Sequence, residues 1–147
     1  MIMETLDFLF DNKEVDEKQT IKNVKKFFDT KYNSLLALTN ISTLKAVDYG
    51  NTKVNTSPNN SVETIRVRQL QAKEYLKAIH ECINSLEPLK AQVLTYRLIE
   101  HRKVTEIMEL TSYEKTRIYD SINEACCEFA SILKLATDIN LISYKEQ

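Results

Sequence analysis

Between Leu110 and Ile118 the chain reads Thr111, Ser112, Tyr113, Glu114, Lys115, Thr116, Arg117, a run without an aliphatic side chain. An arginine guanidinium forks onto the two acceptors that guanine shows in the major groove, while Thr and Tyr side chains reach phosphates or thymine methyls. On both sides of this run the apolar residues keep helical spacing. Val104, Ile107 and Met108 come before it, and Ile118, Ile122, Ala125 and Phe129 follow at steps of four, three and four. The pattern predicts a short helix over 104–110, a polar break at Thr111-Ser112 where either hydroxyl caps the next helix, and a second helix. The first turns of that second helix expose Tyr113, Glu114, Lys115, Thr116 and Arg117. Two devices fit: a helix-turn-helix whose second helix enters a DNA groove, or a structural corner in a helical bundle. A tight helix-turn-helix often carries glycine in its turn, and Glu109-Leu110 occupies that region here. Residues 86–134 hold seven Lys and Arg (Lys90, Arg97, Arg102, Lys103, Lys115, Arg117, Lys134) against eight acids (Glu87, Glu100, Glu106, Glu109, Glu114, Asp120, Glu124, Glu128). Phosphate binding draws on positive charge, and this region has no surplus, which counts against the first device.

Other chemistries find little to work with. His80 and His101 are the only histidines, and His80 and Cys82, two apart, fall on different sides of a helix, a poor start for zinc. Gly50 is the only glycine, so a glycine-rich phosphate loop is excluded. Acidic pairs are common, but on helix faces they read as partners of lysine at i,i+4. The expectation is no catalytic residue, no metal, no cofactor and no enzyme. Cys82, Cys126 and Cys127 have no framework spacing and read as small buried hydrophobes in a reducing compartment.

The elements that would hold the 104–129 segment follow from composition. With 147 residues and 43% hydrophobic content the chain can bury a core of single-domain size. One glycine and two prolines leave few turn-formers, and the rest favours helices, so the fold class is all-α. The formal charge of −1 hides an asymmetry. Residues 1–17 hold six acids against Lys13, whereas residues 18–45 hold six lysines against Asp29. Thr20 is the expected cap of a basic helix with Ile21, Val24, Phe28, Tyr32 and Leu35 on one face, continuing loosely to Val47. The stretch "DYGNTKVNTSPNNS", residues 48–61, gathers the glycine, a proline and four asparagines and reads as a linker. Ser61 begins the next helix, whose stripe is Val62, Ile65, Ala72, Leu76, Ile79, Ile83 and Leu86. Ser85 caps another, with Pro88 in its first turn, which carries Leu89, Val93, Leu94, Tyr96 and Leu98 and ends near His101. Residues 135–147 form a C-terminal tail. No apolar run reaches the roughly 20 residues of a membrane span. The acidic start "MIMETLDFLFD" lacks the basic region of a signal peptide. A soluble, cytoplasmic protein without a membrane partner is expected.

The order of these parts carries a resemblance. A Ser-Pro linker, the amphipathic helix of "SPNNSVETIRVRQLQAKEYLKAI", then "LEPLKAQVLTYRLIEHRKVTEIMEL" and a helix containing "YDSINEACCEFA" and ending in "EACCEFASIL" resembles the ArpU-like phage regulators. These are related to RinA-like activators of phage late genes, and their C-terminal half is similar to region 4 of bacterial sigma factors. The likeness spans roughly residues 56–133, with Ala125, Phe129 and Ala130 fitting the family's ending. It departs where Asn123, Glu124 and Glu128 stand at positions that are often basic in the family.

The resemblance implies a sigma-region-4-like helix-turn-helix at 62–134, an N-terminal helical arm over 1–47, and a transcriptional activator of phage packaging, morphogenesis or lysis genes in a bacterial host cell. It places the recognition helix from Ser112 to about Phe129, with Ser112, Tyr113, Lys115, Thr116, Arg117 and Asp120 reading bases. Lys90, Arg97, Arg102, Lys103 and Thr111 would contact phosphates. The implied partners are double-stranded DNA, RNA polymerase (on which the acidic-apolar start could dock) and a second copy of the chain, because paired half-sites multiply a modest specificity. The alternative is a helical protein–protein adaptor or anti-activator that does not touch DNA. A stand-alone sigma factor would need a promoter-melting module for which residues 1–47 are too few.

Overall fold

Every regular segment that the computed structural model describes, over residues 14–40 and 62–146, is helical. Asp16 starts α1 (Glu17–Asp29) by accepting the Gln19 N–H at 3.1 Å. Asp16 and Glu17 sit at the positive end of the helix dipole and Lys26 at the negative end. Thr20, expected as the cap, lies one turn inside α1. It is buried, and its hydroxyl accepts the Ser143 N–H at 3.0 Å. The single helical face expected to run from Ile21 towards Val47 is divided at Thr30, which leaves helical geometry (φ −123°, ψ −78°) and donates its hydroxyl to the Lys26 carbonyl at 2.7 Å. The second piece is α2 (Lys31–Thr39). The acidic start through Lys13, the 48–61 linker and Ser61 lie outside the described residues.

The helix α3 (Val62–Asn84) buries Ala72, Ile79 and Ile83 of its expected stripe, together with Cys82. Ser85 does not cap the helix after it. Its hydroxyl turns back to the Cys82 carbonyl at 2.7 Å, and Glu87 precedes Pro88 as the N-cap of α4 (Pro88–Leu94). This short helix winds on into a π-turn over Thr95–Ile99, where the Glu100 N–H reaches the Thr95 carbonyl at 2.9 Å. His101 then reverses the chain with a left-handed backbone (φ 56°). The pair α5 (Val104–Thr111) and α6 (Lys115–Ala136) completes the helical order.

One apolar core is shared by these helices. The inner face of α6 (Ile118, Ile122, Ala125, Phe129, Leu133) is its axis, and α1, α3, α4 and α5 each lay buried residues against it. Phe28 of α1 meets Phe129 of α6 at 5.3 Å between ring centroids, with Tyr32 5.1 Å from Phe28. Phe28 and Phe129 both keep 0% exposed surface. The N-terminal helices are therefore not an arm. Val24, Phe27, Phe28 and Tyr32 make an apolar face that would cost roughly 1.5–3 kcal/mol per large side chain to leave in water, and α6 offers the complementary surface.

The C-terminal tail is also tied down. After α6 the chain folds back so that Ile139, Leu141 and Ile142 cover the core's edge. An isolated antiparallel bridge joins Val15 to Tyr144, with Asp16 N–H on the Ser143 carbonyl at 2.8 Å and Lys145 N–H on the Glu14 carbonyl at 2.9 Å. The Asn23 side-chain amide donates a hydrogen bond to the Leu141 carbonyl at 3.1 Å. Cys82, Cys126 and Cys127 are free thiols, and burial pushes the Cys126 thiol up to about 12, so it packs as a small apolar group. Among the described residues no helix is long and apolar enough to cross a membrane, and no group of three His, Cys, Asp or Glu is arranged to hold a metal ion.

This packing sets two stability outcomes. Phe28→Ala should cost about 3–5 kcal/mol in chemical denaturation, and melt α6 with α1 in a single transition. A loss below about 1 kcal/mol would mean that α1 is peripheral to the core.

Candidate nucleic-acid interface

The α5–α6 pair is built around a buried pin. Ile107 of α5 and Ile118 of α6 each keep 0% exposed surface and fasten the two helices to the core on either side of the turn. At the start of α5, the Glu106 carboxylate accepts the Lys103 N–H at 3.3 Å. At its end, Thr111 returns its hydroxyl to the Ile107 carbonyl at 2.7 Å. Ser112 then takes a left-handed backbone (φ 64°, ψ 20°), while its N–H reaches the Met108 carbonyl at 2.8 Å. Glycine usually fills such a position because a Cβ is penalised there. Here Ser112 supplies the reversal, at the second residue of the break expected from sequence.

Neither Thr111 nor Ser112 caps the next helix. Thr111's hydroxyl is committed to its own last turn, and Ser112 occupies the αL region, so α6 begins only at Lys115 after the extended Glu114. The helix therefore starts three residues later than the expected Ser112, and it runs past Phe129 to Ala136.

The first turns of α6 stand in solvent. Ser112, Tyr113, Glu114, Lys115, Thr116, Arg117, Tyr119 and Asp120 are exposed while Ile118, Ser121 and Ile122 are buried, so one narrow strip holds the helix and the rest faces outward. Two cations rest on aromatic rings. The Arg117 guanidinium lies 5.5 Å from the Tyr113 ring centre, and the Lys115 ammonium lies 5.9 Å from that of Tyr119. Lys115 and Tyr119 are i,i+4 neighbours on α6, whereas Tyr113 precedes the helix and reaches Arg117 from the turn. Tyr119 was not among the expected site residues, although its four-residue distance from Lys115 was the available signal. Leu110, also exposed, borders the same surface.

The expected phosphate contacts are arranged differently. Lys90 is only 16% exposed and pairs with Glu128 and, at 3.6 Å, with Glu124, so it bolts α4 to α6. Its hydrogen bond to Glu128 holds the ammonium above its ordinary pKa. Arg97 donates to the Arg102 carbonyl at 2.9 Å and braces the turn between α4 and α5. Arg102 bonds Glu100 at 2.7 Å, approaches Glu106 at 3.6 Å and lies 5.4 Å from the Tyr96 ring centre. Thr111 is half-buried and bonded inward. Lys103 is exposed at the entry to α5. The turn thus gathers Ser112, Tyr113, Lys115, Thr116, Arg117 and Asp120 on one projecting end. Lys90 sits beside Glu124, which is nine residues beyond Lys115 and roughly 13 Å farther along the helix.

Elsewhere the polar side chains serve packing. His80 Nε2 and the Tyr32 hydroxyl share a hydrogen bond of 3.0 Å between α3 and α2, and Tyr75 donates to Asp138 at 2.7 Å.

The turn's backbone yields a direct test. Ser112→Gly should raise stability by about 0.5–1 kcal/mol by removing a Cβ from the left-handed region, and Ser112→Val should lower it. Equal melting temperatures for the three proteins would contradict the αL turn.

The chain matches no protein-family model, no curated protein and no solved structure.

Proposed function

We propose that α5 and α6 act as a helix-turn-helix and that the protein is a sequence-specific double-stranded DNA-binding transcriptional regulator. The supporting observation is the projection of Tyr113, Lys115, Thr116, Arg117 and Asp120 from the start of a helix whose remainder is locked in the core. A reading helix needs that combination. The residues that meet base edges must be free, while the rod that carries them must not move. Arg117 forks to a base, Thr116 and Asp120 contact neighbouring edges, and Lys103 and Lys115 meet phosphate on either side of the groove. Arg97 and Arg102, bonded within the turn between α4 and α5, hold that turn in register.

The resemblance to ArpU-like and RinA-like regulators extends this reading to activation of phage late genes, for packaging, morphogenesis or lysis. In that extension the bound protein touches RNA polymerase and works as a dimer on paired half-sites. A second reading, a helical adaptor or anti-activator that binds protein alone, is favoured by one feature. Glu106, Glu109, Glu114 and Asp120, all exposed, share the segment of the three exposed cations Lys103, Lys115 and Arg117.

The two readings part on salt. With Lys103 and Lys115 on phosphate, log K for a bound duplex should fall against log salt with a slope of about −2 per half-site. No retention of any duplex in a gel shift, even at the lowest salt, would support the adaptor. Arg117→Ala should weaken binding to a selected duplex by roughly 1–3 kcal/mol while leaving random duplex nearly unaffected. Equal loss on all duplexes would reassign Arg117 to phosphate, and no loss would remove it from the interface.

A further inference from the structure

Resting on that reading, we infer that Thr111 and Tyr113 are positioning residues that aim Arg117 at a guanine. A line of contacts leads from the core to the guanidinium. Ile107, which has no exposed surface, offers its carbonyl to the Thr111 hydroxyl at 2.7 Å. The Thr111 oxygen in turn receives the Tyr113 N–H at 3.4 Å. The left-handed Ser112 between them turns the Tyr113 ring over the first turn of α6, where it lies 5.5 Å from the Arg117 guanidinium. A long, exposed arginine has many rotamers, and an aromatic face against its plane removes part of that freedom before any ligand arrives.

The edge of the guanidinium, a planar fork of N–H donors, stays open to a partner. Of the base edges in the major groove, guanine alone offers two adjacent acceptors, N7 and O6, that match this fork. The acids near Arg117 do not occupy it: Glu114 and Asp120, both exposed, form no ion pair with it among the described residues. Thr111 thereby takes a role in the site without touching DNA. Lys115 on Tyr119 repeats the cation–ring arrangement but presents a point charge, which suits phosphate rather than a base edge.

The test uses the full chain and a duplex selected from a random pool, in versions carrying guanine or 7-deazaguanine at each guanine in turn. For the wild type, one deaza position, which loses N7 but keeps O6, should cost roughly tenfold in affinity, at the low end of what a bidentate base contact discriminates. Tyr113→Leu should shrink that discrimination by roughly two- to fivefold with an unchanged salt slope. Tyr113→Phe should keep it, because the ring and not the phenol does the holding. Thr111→Val should behave as Tyr113→Leu and Thr111→Ser as wild type, with melting curves reporting that each variant folds. A selected duplex bound with the same deaza discrimination by wild type and Tyr113→Leu overturns the positioning role while leaving DNA reading intact. Failure of the wild type to select any duplex overturns both.

Discussion

The inner face of α6 is the constraint on which the rest depends. Ile118, Ile122, Ala125, Phe129 and Leu133 recur at helical spacing and are all buried, so α6 can rotate or slide only by exposing large apolar side chains. Helices from both ends of the chain gather on that face: α1 through Phe28, α4 through Val93 and Leu94, and α5 through Ile107. In the first two turns only the strip of Ile118, Ser121 and Ile122 enters this packing, while Lys115, Thr116, Arg117, Tyr119 and Asp120 face solvent. The orientation of those turns is thus set by that strip and by the contacts farther along the helix.

The cations divide by the same logic. Lys90 and Arg102 lie near carboxylates that folding brings close, Glu128 and Glu124 for one and Glu100 and Glu106 for the other. Arg97 answers a backbone carbonyl at a tight reversal. Lys115 and Arg117 have rings for neighbours instead, and neither enters an ion pair among the described residues. The exposed Glu114 and Asp120 lie in the same stretch, so the tip carries as many acids as cations and offers position rather than a charge surplus.

Much of this was legible in the residues themselves. The apolar steps from Ile118 to Phe129 forecast the buried face of α6, and the polar run before them forecast which side chains would be exposed. Local hydrogen-bond competition was not legible. Thr20, Ser85, Thr111 and Ser112 are all good capping types, yet Asp16, Glu87 and Glu114 stand at the observed helix starts. Hydroxyls found nearer backbone partners, Cys82 for Ser85 and Ile107 for Thr111, and such choices depend on the assembled backbone. The fate of the lysines and arginines was hidden for a related reason. Lys90 and Glu128 are 38 residues apart, and no periodicity announces their meeting. The burial of α1 against α6 likewise rests on long-range fit between Phe28 and Phe129.

The central claim, that the start of α6 is the surface that meets DNA, is most directly examined by nuclear magnetic resonance of the ¹⁵N-labelled full chain titrated with a selected duplex. The largest amide and arginine side-chain shifts should fall at Lys103 and across Thr111–Asp120, with the buried positions from Ile122 to Leu133 nearly unmoved. Shifts concentrated instead on the lysine-rich face of α1, or a spectrum unchanged at saturating duplex, would contradict it.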